Sequence, residues 1–202
     1  MRSTRAMAWA ASLVIVLVGA EAQAWVWSDS TYGCSDSLHP ADPDHPTYTW
    51  TSIAATGTRV LLSDDQVSTA IPICFNFDFY ATIYTQAYIS SNGFIGFLPT
   101  MSNGCCSGRP LPGLDGMDGI IAGIWDDLYP PNGFVYYQTL GSAPFRRFVV
   151  EYNGVPRCCG TIERATFQIV LLEGSSSIYM HYVTDGNSTR TSTIGVENTT
   201  AT

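Results

Sequence analysis

The chain has 202 residues, of which only 13% are charged, and it carries a net charge of −8. Its nine basic residues, all arginine, are outnumbered by 17 acidic ones. Such a surface repels a phosphate backbone, which argues against nucleic-acid binding. With so few charges, the polar faces must be built largely from Ser, Thr, Asn and Gly.

The amino terminus reads as an export leader. Arg2 and Arg5 precede an apolar run over 6–18, Gly19 breaks it, and Ala22-Gln23-Ala24 has the small-x-small form of a cleavage site. The run is too short to span a bilayer comfortably, and no later stretch is long and apolar enough for a transmembrane helix. Residues 1–24 are therefore expected to be a signal peptide. The product would be secreted without a transmembrane anchor, or periplasmic or surface-located if the source is bacterial. Cleavage takes Arg2, Arg5 and Glu21 with it and leaves a mature charge of −9.

Beyond the leader the hydrophobic period is two, not 3.6. Residues 25–46, rich in Pro and Asp, read as an amino-terminal extension over the surface, and 47–202 as one domain. Short strands are expected at 47–53 and 59–62. Next, Ile71, Ile73, Phe75, Phe77 and Phe79 alternate with Cys74, Asn76, Asp78 and Tyr80, the pattern of a half-buried strand. In 88–97, Asn92-Gly93 between apolar segments signals a hairpin. Residues 120–125 are apolar without alternation, as in a strand covered on both faces. Strands at 134–138, 145–152, 166–172, 178–183 and 192–196 follow. The sum is an all-β, two-layer antiparallel sandwich.

Six cysteines in an exported chain point to disulfides: Cys34, Cys74, Cys105, Cys106, Cys158 and Cys159. Neighbours in sequence rarely bond each other. The preferred pairing joins Cys34 to Cys74 and ties the Cys105-Cys106 pair to the Cys158-Cys159 pair. A four-thiolate zinc site is the alternative, against which the compartment and the spacing both speak.

Several of these segments together resemble the nidogen-like extracellular domain. They are Tyr88 to Ile95 around Asn92-Gly93, Ile120 to Leu128, Gly133 to Tyr137, Phe148 to Tyr152 with Val155-Pro156, Thr166 to Leu171, and Thr193 to Asn198. Order and spacing agree from Phe75 to Asn198, and the likeness is to short secreted bacterial relatives. It implies a non-catalytic β module of cell–matrix, cell–cell or surface-layer proteins. It also implies a further strand beyond Thr202, so a truncated frame or an open sheet edge is expected there.

No nucleophile motif, H-E-x-x-H or phosphate-cradling loop is present, and the chain is not expected to be an enzyme. His39, Asp42, Asp44 and His45 read as a Pro-stiffened loop, with a metal site as the alternative; His181 reads as a face residue. Asp126 and Asp127 end a central strand, with Asp115 and Asp118 nearby in sequence. They offer oxygen ligands to calcium, against the plainer reading that they accept loop amide hydrogen bonds. No other cofactor is expected. The sequence thus predicts a secreted structural or adhesive module that recognises an extracellular protein or polysaccharide through the cysteine-bearing loops. The alternative is a carbohydrate-binding module, calcium-assisted or not, using Trp25, Trp27, Tyr32, Tyr48, Trp50, Tyr129, Tyr136 and Tyr137.

Overall fold

In a computed structural model of the chain, the structure describes residues 14–19, 31–38, 45–113, 116–158, 162–186 and 192–200. Among them are β1 (Val14–Gly19), β2 (Tyr32–Asp36), β3 (Thr58–Val60), β4 (Ile71–Phe79), β5 (Thr82–Ile89), β6 (Phe94–Gly96), β7 (Ile120–Trp125), β8 (Phe134–Leu140), β9 (Arg147–Pro156), β10 (Arg164–Leu172), β11 (Ile178–Thr184) and β12 (Thr193–Glu197). They form a seven-stranded sheet in the order β2-β1-β11-β10-β9-β8-β3 and a five-stranded sheet in the order β12-β7-β6-β5-β4. Every pairing is antiparallel. No α-helix occurs among the described residues.

Alternation in the sequence becomes burial in the fold. Ile71, Ile73, Phe75, Phe77 and Phe79 are all buried, while Pro72, Cys74 and Asn76 between them are exposed. Their apolar face meets Phe148, Val150 and Tyr152 of β9, Phe167, Ile169 and Leu171 of β10, and Ile178, Met180 and Tyr182 of β11 in one continuous core. Two sheets whose inner faces share a core make a sandwich. All six residues of β7 are buried, because the strand has apolar neighbours on both sides. Ile121 and Ile124 belong to the main core; Ile120, Ala122 and Trp125 belong to a second one with Phe94, Met101 and Met117.

A β-bulge explains how Ile124 and Trp125 reach those two cores. The N–H groups of both Gly123 and Ile124 donate to the Gly93 carbonyl, each at 3.1 Å. Two residues opposing one shift the alternation by one position. The β12 register slips at the same place, with Thr193 opposite Trp125 but Gly195 opposite Ala122. Gly93 has a φ of 84°, and a Cβ there would collide with the Ile124 carbonyl, so only glycine fits the junction. The Gly123 carbonyl is reached across the core by the Tyr182 hydroxyl at 2.8 Å. In the same way the Tyr152 hydroxyl donates to Ser90 O at 2.6 Å. Burial pushes both phenols well up, so each stays a neutral donor.

Three local expectations change. Residues 47–53 are not a strand but an extended strap, and β5 begins six residues ahead of the expected segment at 88–97. The apolar hexapeptide Val14–Gly19 lies in the seven-stranded sheet, its backbone paired with β11 on one side and β2 on the other. Within the stretch expected as an extension, Tyr32–Asp36 is a strand paired with that hexapeptide.

The strap is fixed by one carboxylate. Glu151, on the outer face of β9, is fully buried and accepts four hydrogen bonds: from Ser52 Oγ (2.8 Å), Asn153 Nδ2 (2.7 Å), Ile53 N (2.7 Å) and Gln168 Nε2 (2.8 Å). Gln168 also donates to Thr51 O at 2.9 Å. A buried charge is tolerable only when so fully bonded. Replacing it by alanine leaves those donors unmatched, and Glu151→Ala is expected to cost roughly 3 kcal/mol. Urea denaturation measures that loss. Chymotrypsin should then cut at Tyr48 or Trp50 while the two sheets stay protected.

Candidate functional site: a cysteine-bearing rim

At one end of the sandwich, the loops carrying Cys105-Cys106 and Cys158 converge on the turn at Asp64-Asp65. The Asp65 carboxylate and the Cys105 and Cys106 sulfurs lie within 4.8 Å of one another; so do the Asp64 and Asp127 carboxylates and the Cys158 sulfur. The rim rests on Asn92. Although it sits in the expected hairpin turn, Asn92 is fully buried. Its Nδ2 donates to Asp65 Oδ1 (2.8 Å) and Asn103 O (3.1 Å), and its Oδ1 accepts from Leu128 N (3.1 Å). Asn103 in turn donates to Asp65 O (2.8 Å) and accepts from Cys105 N (2.9 Å). Trp125 Nε1 donates to Gly104 O at 2.8 Å, locking the same loop onto the second core. Ser91 and Gln66 join the turn to the sheet, Ser91 N donating to Gln66 O at 2.7 Å. These loops are held by buried bonds from several directions.

The cysteines depart from the expected pairing. Cys105 and Cys106 are joined to each other, and Cys34 and Cys74 are free thiols. Cys34 is turned inward against the main core, where burial pushes its thiol up, with Asp36 adding to the effect. Cys74 stands on the exposed face of β4. One points in and the other out, on edge strands of different sheets, and they are not joined. The bond between neighbours also removes two of the thiolates that a zinc site would use. Cys158 is disulfide-bonded, and its loop is held by Cys158 N donating to Asp127 O at 2.7 Å. Cys159 lies outside the described residues.

The two carboxylates at the end of β7 have different surroundings. Asp126 is buried and ion-paired with Arg157, the residue just past β9, so the pair ties the two sheets together at the rim. Arg157 is itself buried; it also donates to Asp185 O (2.9 Å), and both terminal nitrogens reach Ser192 Oγ (3.1 Å). Asp126 Oδ1 accepts from Asp127 N at 2.8 Å. Asp127 is half-buried beside Asp64, and Asp118 lies past the opposite end of β7. Asp115, His39, Asp42, Asp44, Trp25 and Trp27 fall outside the described residues.

Of the other aromatics, Tyr32 and Tyr137 pack on the main core, whereas Tyr48 and Tyr136 lie on the outer face of the seven-stranded sheet. Tyr32 is buried on Phe79 and Tyr80, Tyr48 meets His181 edge-on, Tyr136 stacks on Phe134, and Tyr137 leans on Phe148.

A family model described as NIDO related matches residues 44–202. The chain belongs to the NIDO-related (nidogen-related) family. The match starts ahead of the strap and takes in every strand except β1 and β2, so strap, rim and both cores are parts of the NIDO-related unit. Neither curated proteins nor solved structures give a match. No helix among the described residues is long and apolar enough to cross a membrane.

Two residues central to this NIDO-related rim carry no local signal. Asn92 reads as a turn residue, and Arg157 as one more surface arginine. Breaking a buried ion pair strands a charge, so Asp126→Asn is expected to cost about 3–5 kcal/mol. The double variant Asp126→Leu with Arg157→Met should lose less than either single change, which a denaturation cycle would show.

His181 is also placed. It is buried on the outer face of β11, and burial, reinforced by the Arg147 charge, pulls its imidazole down to about 4. The unfolded chain protonates this ring near 6.5. The folded protein does not, so stability is full above pH 6.5 and drains away as the pH falls toward 4. Between pH 7 and 4.5 the parent should lose about 2–3 kcal/mol more than His181→Leu. Urea midpoints at the two pH values give that difference, because the carboxylates contribute equally in both proteins.

Proposed function

We propose that this chain is exported by its leader and works outside the cell as a non-catalytic binding module, through the rim around Asp64-Asp65. The observation that carries this reading is the buried Asn92 network beneath Cys105 and Cys106. Recognition loops held from below lose little conformational freedom when a partner docks. Family membership and the export leader support the same reading, and the partner would be an extracellular protein or polysaccharide. Within it, saccharide binding assisted by calcium is the second reading, favoured by the approach of the Asp64 and Asp127 carboxylates.

Two measurements test the reading. The mass of the exported product should correspond to a chain starting at Trp25, which would lack β1. Asp64→Arg reverses an exposed charge on the rim. It should leave the melting temperature unchanged and weaken adhesion to isolated matrix or cell-surface material about tenfold, with calcium present and absent. Equal adhesion of parent and variant would refute the rim. Turnover of any substrate, abolished by changing one carboxylate or imidazole, would refute the non-catalytic role.

A further inference from the structure

A second site lies on the outer face of the seven-stranded sheet, away from the rim. The strap and the sheet enclose a groove of about 360 Å³, within the range of small-molecule sites. The strand register defines its floor. Arg147 sits opposite Leu140 and Leu172, Val149 opposite Val170, Val170 opposite Tyr179, and Gln168 opposite His181. From the Arg147 row to the His181 row is about 13 Å, two steps of a two-residue repeat. Thr47, Thr49 and Thr51 of the strap form the facing wall.

Several polar groups of this groove are exposed and free to meet a ligand, and one, on His181, is buried without a partner. Arg146 next door is engaged with Glu173, its Nη2 lying 2.5 Å from Glu173 Oε1, and Glu151 is saturated by its four donors. Arg147 has no carboxylate or hydrogen-bond partner among the described residues. Nor do the hydroxyls of Thr47, Thr49, Thr51 and Tyr179. His181, only 4% exposed, is wedged between Tyr48 and Tyr179, and its Nδ1 is buried without a hydrogen bond. An unmatched polar atom in such a place is costly, and a ligand hydroxyl met by a small turn of the ring relieves it.

We infer that this groove binds a short acidic saccharide, with a uronate carboxylate on Arg147, sugar hydroxyls on the strap threonines and His181, and the apolar C–H face of a ring on Val149 and Val170. The chemistry selects this class. An aliphatic acid would use Arg147 but leave the threonine, tyrosine and histidine groups unmatched. A neutral sugar would use those but leave the guanidinium bare. Between Arg147 and the Gln168–His181 row the floor is aliphatic apart from Tyr179, and pyranose rings present just such a half-apolar face.

The test is titration of the ¹⁵N-labelled mature protein with trigalacturonate and, in parallel, with uncharged galactotriose. Trigalacturonate should shift amides of β9, β10, β11 and the strap, and bind at least about tenfold more tightly than galactotriose, as a charge-assisted contact implies. Arg147→Gln, an exposed change expected to leave the melting temperature alone, should erase that difference. His181→Leu should weaken both sugars. Shifts confined to residues 63–66 and 103–107, no binding by the folded protein at 10 mM sugar (about −2.7 kcal/mol or weaker), or full affinity in Arg147→Gln would each overturn the inference. Shifts at 63–66 and 103–107 would place the saccharide on the rim instead, whereas the other results leave the rim untouched, and Asp64→Arg should bind trigalacturonate like the parent.

Discussion

The structure depends most on a single carbonyl. Gly93 O takes two N–H groups from β7, and that doubling sets the side-chain order of everything after Ala122. Strict alternation would have put Ile124 with Ile120 and Ala122, and Trp125 with Ile121. The bulge instead sends Ile124 into the main core and Trp125 into the second one. It leaves Asp126 where Arg157 from the other sheet can meet it. Trp125, so placed, holds Gly104 and with it the disulfide loop. One extra residue in one strand thus converts a plain sandwich into a sandwich with an organised end.

Such an arrangement buries polar atoms that an ordinary β-sandwich would leave in water, and each must find a partner. Tyr152 and Tyr182 donate across the core to backbone carbonyls of the opposite sheet, which fixes the relative slide of the sheets as apolar contacts alone cannot. Glu151 does the same on the outer face, where it turns an irregular segment into a fixed strap. Hydrophobic burial holds the layers together, whereas these directional bonds choose one register. Buried polar networks are costly when incomplete and specifying when complete. Here the Asn92 and Glu151 centres are complete, and they support the two places where the surface is most shaped.

Much of the fold was legible because burial repeats along the chain. The alternation in β4 and the apolar run in β7 are local facts of sequence, and both survive intact. The strand expected at 145–152 is present as β9, with Phe148, Val150 and Tyr152 inward and Arg147, Val149 and Glu151 outward. What was not legible depends on distant partners. Residues 47–53 have the composition of a strand, but their backbone is bound by Glu151, about a hundred positions away, not by a neighbouring strand. The first half of β5 is exposed except for Tyr84, which is half-buried, and so shows little pattern to read. The cysteines were misread because chain spacing says nothing about which way a side chain faces: Cys34 inward, Cys74 outward. Asp126 looked available for a cation only while Arg157, 31 residues on, was out of view.

The rim and the groove draw on the same scaffold without sharing side chains. Strand β9 carries Arg147 and Val149 of the groove near its start and runs into Arg157 of the rim at its end. Between them lies Glu151, facing the strap, flanked by Val150 and Tyr152, which face the core. A ligand that presses on the strap therefore pushes against a carboxylate already saturated with hydrogen bonds, over a close-packed interior that yields little. Strain from one site should die out before reaching the other. The saturated carboxylate and the packed core between them set the two surfaces apart on one scaffold.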